Sequence, residues 1–155
     1  MKSLSPEKQL AQFIGKFSPQ MATLIRAARK KMRALQPRAV EMVYDNYNFF
    51  VIGYAPGERP SEAIFSLAAQ AKGLSLCFLQ GAGLPDPHGL LRGSGKVVRN
   101  IRIDAPAAFD RPPVRALIAA ALERAAVPIP SAGKHQLIIK SVSAKQRPRR
   151  AVSAK

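Results

Sequence analysis

The chain has 155 residues, 47% of them apolar, enough for one domain with a single core. Twenty-five Lys and Arg stand against nine acids, a formal net charge of +16, which points to polyanionic partners: nucleic acid, an anionic membrane or an acidic protein. No apolar run is long enough for a transmembrane helix, and the lone Cys77 excludes an internal disulfide.

The segment Met1 to Lys8 lacks the apolar stretch of a secretory signal, so residence in the cytoplasm is expected. Two helices are predicted next, opening at Ser5-Pro6 and Ser18-Pro19. Serine suits the N-cap, and proline suits the first helical turn, where its missing N–H costs nothing. Leu10, Phe13, Ile14 and Phe17 share a face of the first helix. Met21, Leu24, Ile25, Ala28, Met32 and Leu35 repeat at helical spacing in the second. That helix also carries Arg26, Arg29, Lys30, Lys31 and Arg33, with Arg38 just beyond: six cations within 13 residues and no acid among them. Such a face is either simply solvated or binds a partner.

Five strands follow in expectation: 39–44, 49–54, 63–68, 74–79 and 97–103. Asp45-Asn46-Tyr47-Asn48 reads as a hairpin turn, since Asp and Asn accept turn dihedrals. Cys77 lies in the fourth run and reads as a buried, inert thiol. Asp110 is placed to cap a last helix whose stripe is Val114, Leu117, Ile118, Ala121, Leu122 and Ala125. Residues 135–140 have the composition of a short strand, but the reading from about Ser141 onward is disorder. Seven Lys and Arg and no acid fall between Ala126 and Lys155. The connections between strands are too short for parallel crossovers, so the expected class is α+β, an antiparallel sheet of about five strands with helices packed on one face. The expected organisation is an N-terminal helix over 1–17, a domain over 18–126 and a basic, largely disordered tail over 127–155.

The turn Gly93-Ser94-Gly95-Lys96 invites a phosphate-loop reading and fails it. Leu90 stands five before Gly95, and Val97 follows the lysine where Ser or Thr is required. A dinucleotide fingerprint fails at Val98. Alternation puts Val97, Arg99, Ile101 and Ile103 on one strand face, so Arg99 needs a carboxylate, carbonyls or a bound anion. Asp45 or Glu41 is the expected partner, in a bridge tying two strands, with a ligand contact as the alternative. Tyr44 and Tyr47 either wall a small pocket beside Asp45 or cover the core edge. His88, between Pro87 and Gly89, reads as exposed in a turn. No nucleophile, acid–base pair or zinc spacing stands out.

Gly81-Ala82-Gly83-Leu84-Pro85-Asp86-Pro87, then Leu90-Leu91-Arg92-Gly93-Ser94-Gly95-Lys96-Val97-Val98-Arg99, resembles the YdhG-like family of small bacterial domains. Ile101-Arg102-Ile103, Asp110, Val114-Arg115-Ala116-Leu117-Ile118 and Glu41 to Asn48 extend the likeness over about Ser18 to Ala126. The resemblance implies a compact α+β domain similar in shape to frataxin, with an iron-chaperone role attached to some relatives. Iron binding of the frataxin kind relies on an acidic surface, and this chain is basic. The family motif matches at Gly93, Gly95, Lys96 and Arg99, without an established role for them.

The expected function is non-enzymatic binding of an anionic partner, nucleic acid first. Arg26, Arg29, Lys30 and Arg33 of the helix would make the contacts with Arg147, Arg149 and Arg150 of the tail. Lys96 and Arg99 would hold one anionic group with Gly93, Gly95, Tyr44, Asp45 and Tyr47. No cofactor or metal site is expected. Iron delivery is the alternative, and an enzyme acting on a small anionic substrate is the second.

Overall fold

The computed structural model describes residues 4–151. Two helices open the chain, α1 (Pro6–Gly15) and α2 (Pro19–Leu35). Each begins as the Ser-Pro pairs predict: Ser5 accepts from the Lys8 amide and Ser18 from the Met21 amide. The strands are β1 (Val40–Asp45), β2 (Phe50–Ala55), β3 (Phe65–Gln70), β4 (Gly73–Phe78), β5 (Arg99–Ile103) and β6 (Gln136–Val142), with α3 (Pro112–Arg124) between the last two. They form one sheet in the order β5-β4-β3-β2-β1-β6. All pairings are antiparallel except β6, which lies parallel to β1. The class is α+β, with six strands.

Register explains where the core sits. Ile139, Val43, Ile52, Leu67, Leu76 and Ile101 align across all six strands. Side chains alternate along a strand, so this row marks one face, and α1, α2 and α3 cover it. Ile25, Ala28 and Met32 of α2 and Val114, Leu117 and Ile118 of α3 pack into the same cluster. Phe13 and Phe17 bring their rings to 6.4 and 5.9 Å from that of Phe50, fixing the end of α1 on β2. Each fully buried phenylalanine contributes roughly 1.5–3 kcal/mol by leaving water. The opposite face holds a small cluster of Val40, Met42 and Ala55, flanked by Tyr44, Ala63 and Ile138.

Three expectations are corrected. The run 135–140, with the composition of a short strand, falls in β6, which pairs with the otherwise free edge of β1. The residues from about Ser141 onward, expected to be disordered, complete β6 and then bond to the domain through Ser143, Gln146, Arg147, Arg149 and Arg150. Residues 152–155 lie outside the described part. Asp110 does not cap α3; Arg111 holds the N-cap position without a side-chain bond, because Pro112-Pro113 starts the helix one residue later. The Asp110 carboxylate pairs instead with Lys31 (2.7 Å) and Arg115 (3.2 Å). The fifth strand begins at Arg99, since Val97 and Val98 belong to an exposed turn.

Candidate functional site

Two buried carboxylates organise the cationic surface. Glu41 and Asp45 flank Val43 on the helix-facing side of β1, and both side chains are 0% exposed. A carboxylate so placed is stable only if partners replace its water.

Glu41 has four partners. Arg29 donates from Nε to Oε2 (3.0 Å) and from Nη2 to Oε1 (2.8 Å). The Tyr54 hydroxyl, from the residue opposite in β2, donates to Oε2 at 2.9 Å. His135 donates from Nε2 to Oε1 at 2.6 Å, at the entrance to β6, and Arg33 lies 4.0 Å away. Glu7 of α1 caps the far side of the Arg29 guanidinium with two bonds. Burial alone would lower the Arg29 pKa; the hydrogen bonds it donates to Glu41 and Glu7 outweigh it and raise it. The Arg29 bond holds the Glu7 carboxyl below its usual range. Burial, then the nearby Glu41 charge, push the Tyr54 hydroxyl far up.

This anchoring sets a row of cations along α2. Arg26, Arg29, Lys30 and Arg33 recur at three- and four-residue steps, so they share a helix face. With Ala34 and Pro37 they line a groove of about 360 Å³. Arg29 is spent on its two carboxylates. Arg33 leans on His135, Nη2 to Nδ1 at 3.4 Å. Arg26 and Lys30 are exposed and have no carboxylate or hydrogen-bond partner among the described residues. Lys31 points elsewhere, to Asp110. The four helix residues singled out in the sequence thus meet in one concavity, where two carboxylates, Glu7 and Glu41, stand against four cations.

Asp45 holds a second cluster. Lys16 reaches Oδ2 at 2.5 Å and Arg149 reaches Oδ1 at 2.8 Å. Burial pushes the Asp45 carboxyl up, but these two donors prevail and hold it below its usual value. The Arg149 guanidinium also donates to the Asn46 carbonyl and lies over the Phe17 ring, 5.9 Å from its centroid. Arg149 is therefore an internal anchor and not the exposed nucleic-acid contact expected of it. Arg147 and Arg150 remain exposed.

The expected union of Arg99 with Asp45 or Glu41 does not occur. Glu41 and Arg99 do fall on one register row, but Tyr54, Phe65 and Phe78 stand between them. Four strand spacings make about 19 Å. Arg99 donates instead to the Gly95 carbonyl (2.5 Å) and the Val98 carbonyl (2.8 Å), closing its own turn. Gly93 supplies that turn with φ +110°, a conformation costly for any side chain. Lys96 projects from it, exposed. Tyr44 lies on the opposite sheet face from Asp45, beside Met42, and Tyr47 sits at the exposed hairpin tip under Arg147. The glycine turn and the Tyr44–Tyr47 segment are thus separate places. His88 is exposed in its turn, as read, and the Asp86 carboxylate accepts from the Leu90 and Leu91 amides there. Cys77 is partly exposed rather than fully buried, with burial raising its thiol pKa.

Sequence reasoning misses Lys16, Tyr54 and His135. The signal available for Glu41 and Asp45 is their parity with Val43. Among the described residues no group of three or more His, Cys, Asp or Glu is placed to hold a metal ion, and no helix is long and apolar enough to cross a membrane. No protein-family model matches the chain, and no curated protein or solved structure matches it either.

Proposed function

We propose that this chain is a YdhG-like domain that binds an anionic partner, with nucleic acid as that partner and its phosphodiester backbone as the group recognised. The observation that carries this reading is the α2 groove, where Arg26 and Lys30 have no carboxylate partner among the described residues and Arg33 stands 4.0 Å from a Glu41 already held by Arg29. Arg147 and Arg150 add to the positive field from the C-terminal segment. Phosphate contacts of this kind give affinity without base readout. With no Trp and three Tyr in the chain, stacking on bases contributes little.

The test is fluorescence anisotropy of labelled single- and double-stranded oligonucleotides across a salt series. Each phosphate neutralised contributes about −0.9 to the slope of log K against log salt on duplex DNA. Three groove contacts therefore predict a slope near −3. Affinity that does not change with salt contradicts the reading.

A further inference from the structure

The C-terminal segment is built like a clasp with alternating duties. The Ser143 amide donates to the Asp45 carbonyl at 2.9 Å, and the Arg147 amide to the Tyr47 carbonyl at 2.8 Å. Gln146 bridges the Asp45 carbonyl (2.7 Å) and the Lys16 ammonium (2.9 Å). Arg149 turns inward to Asp45. Its neighbours Arg147 and Arg150 consequently turn outward, over the β3–β4 turn.

There they line an open cavity of about 470 Å³ with Asn48, Gln70, Lys72 and Pro148. Both guanidiniums are held by Nε: Arg147 donates to Asn48 Oδ1 at 2.7 Å and Arg150 to the Lys16 carbonyl at 3.2 Å. Arg147 is further steadied over the Tyr47 ring, 5.5 Å from its centroid. The Nη edges of both have no partner among the described residues, and neither has the Lys72 ammonium. The turn bearing Lys72 is itself fixed, because Arg102 donates to the Lys72 carbonyl at 2.6 Å. Among the described residues no carboxylate lines the cavity.

Guanidiniums tethered at Nε with free Nη pairs are preorganised for oxyanions, losing little rotamer freedom on binding. Three unanswered cations around one cavity match a dianion better than the single charge of a diester. We infer that this cavity binds a phosphomonoester group, through Arg147, Arg150 and Lys72, with Asn48 Nδ2 and Gln70 Oε1 left for the group's ester substituent, since Asn48 Oδ1 accepts from Arg147 and Gln70 Nε2 donates to the Asn48 carbonyl. The site is separate from the α2 groove. Only its supply by a strand end, a terminal phosphate of nucleic acid, rests on the reading above.

Two measurements separate these. In the first, inorganic phosphate is titrated into the full chain while the arginine Nε–H resonances are followed by NMR. Shifts at Arg147 and Arg150 are expected, with a shift of the Gln70 side-chain amide that is lost in Arg147→Gln/Arg150→Gln, and their absence overturns the site. In the second, anisotropy compares one oligonucleotide with a 5′-phosphate and with a 5′-hydroxyl. A strand-end site predicts about tenfold tighter binding of the phosphorylated form, the equivalent of one charge-assisted contact. Arg147→Gln/Arg150→Gln erases that difference, and Arg26→Gln/Lys30→Gln weakens both forms equally while keeping it. Phosphate shifts without a 5′-phosphate preference support the site and assign it to small phosphate esters. If neither oligonucleotide binds, the nucleic-acid reading fails and the phosphate titration alone decides the cavity. Arg149 stays in place throughout, so the clasp remains docked.

Discussion

Arg149 and Asp45, 104 positions apart in the chain, meet at 2.8 Å with both side chains buried. This pair is the buried contact among those that hold a polar C-terminal segment to the domain. Its two members are not equivalent. Asp45 keeps Lys16 if Arg149 is lost, whereas Arg149 already has Nε and Nη1 buried without partners and has no second carboxylate among the described residues.

The asymmetry fixes the order of two substitutions. Asp45→Ala strands a buried guanidinium and is expected to cost about 3–5 kcal/mol. Arg149→Ala leaves Asp45 paired with Lys16 and is expected to cost less, about 1–3 kcal/mol. Urea unfolding of the two variants measures both. Equal losses, or a larger loss for Arg149→Ala, contradict the assignment of Asp45 as the hub.

The same carboxyl sets an acid limb. Its pKa is lowered on folding, so it stabilises the protein above the ordinary aspartate value of about 3.9. That contribution disappears as pH falls through the lowered folded value. Stability curves measured downward from pH 5 should therefore steepen below about pH 4. Asp45→Asn should flatten this limb while lowering stability at neutral pH. Glu7, also lowered, contributes in the same direction and remains in that variant.

Glu41 offers a graded comparison. Tyr54→Phe removes one of several donors and leaves Arg29 and His135 on the carboxylate, so a loss of about 0.5–1.5 kcal/mol is expected. Glu41→Ala instead leaves the Tyr54 hydroxyl buried and removes the main partner of the Arg29 guanidinium. A loss of about 3–5 kcal/mol is expected. Thermal or denaturant melts that rank them the other way refute the hub geometry. Glu41→Ala should also loosen Arg29 and Arg33 and weaken oligonucleotide binding.

At the far edge of the sheet, Gly93→Ala is strained by its φ of +110° whatever the space around it. A cost of about 1 kcal/mol or more is expected from such backbone strain. Lys96→Gln, exposed beside it, should leave stability unchanged. Calorimetry of both variants separates the structural glycine from the solvated lysine.

The hidden half of this surface follows a physical rule. Alternation in Val40-Glu41-Met42-Val43-Tyr44-Asp45 puts both acids on the face of Val43, and the helical repeat groups Arg26, Lys30 and Arg33. The row from Val43 to Ile101 is equally readable from apolar strand residues. Distance across the sheet is not readable: parity places Glu41 and Arg99 on one face but says nothing of the three aromatic side chains between them. Lys145 to Arg150 carries no apolar period, so its polar composition reads as disorder. It docks through long-range matches with no local trace: the Asp45 carboxylate takes the Arg149 guanidinium, and Gln146, Arg147 and Arg150 find partners at Asp45, Asn48 and Lys16. His135, too, gains its partner only through the parallel pairing of β6 with β1.

The central claim is that the α2 groove takes phosphates, and the salt dependence of oligonucleotide binding by Arg26→Gln/Lys30→Gln tests it most directly. Both side chains are exposed and have no partner among the described residues, so the fold should be unaffected. Loss of two phosphate contacts predicts a log–log salt slope shallower by about 2 than that of the unmodified chain, with weaker binding at every salt concentration. An unchanged slope and affinity would place the contacts elsewhere and contradict the claim.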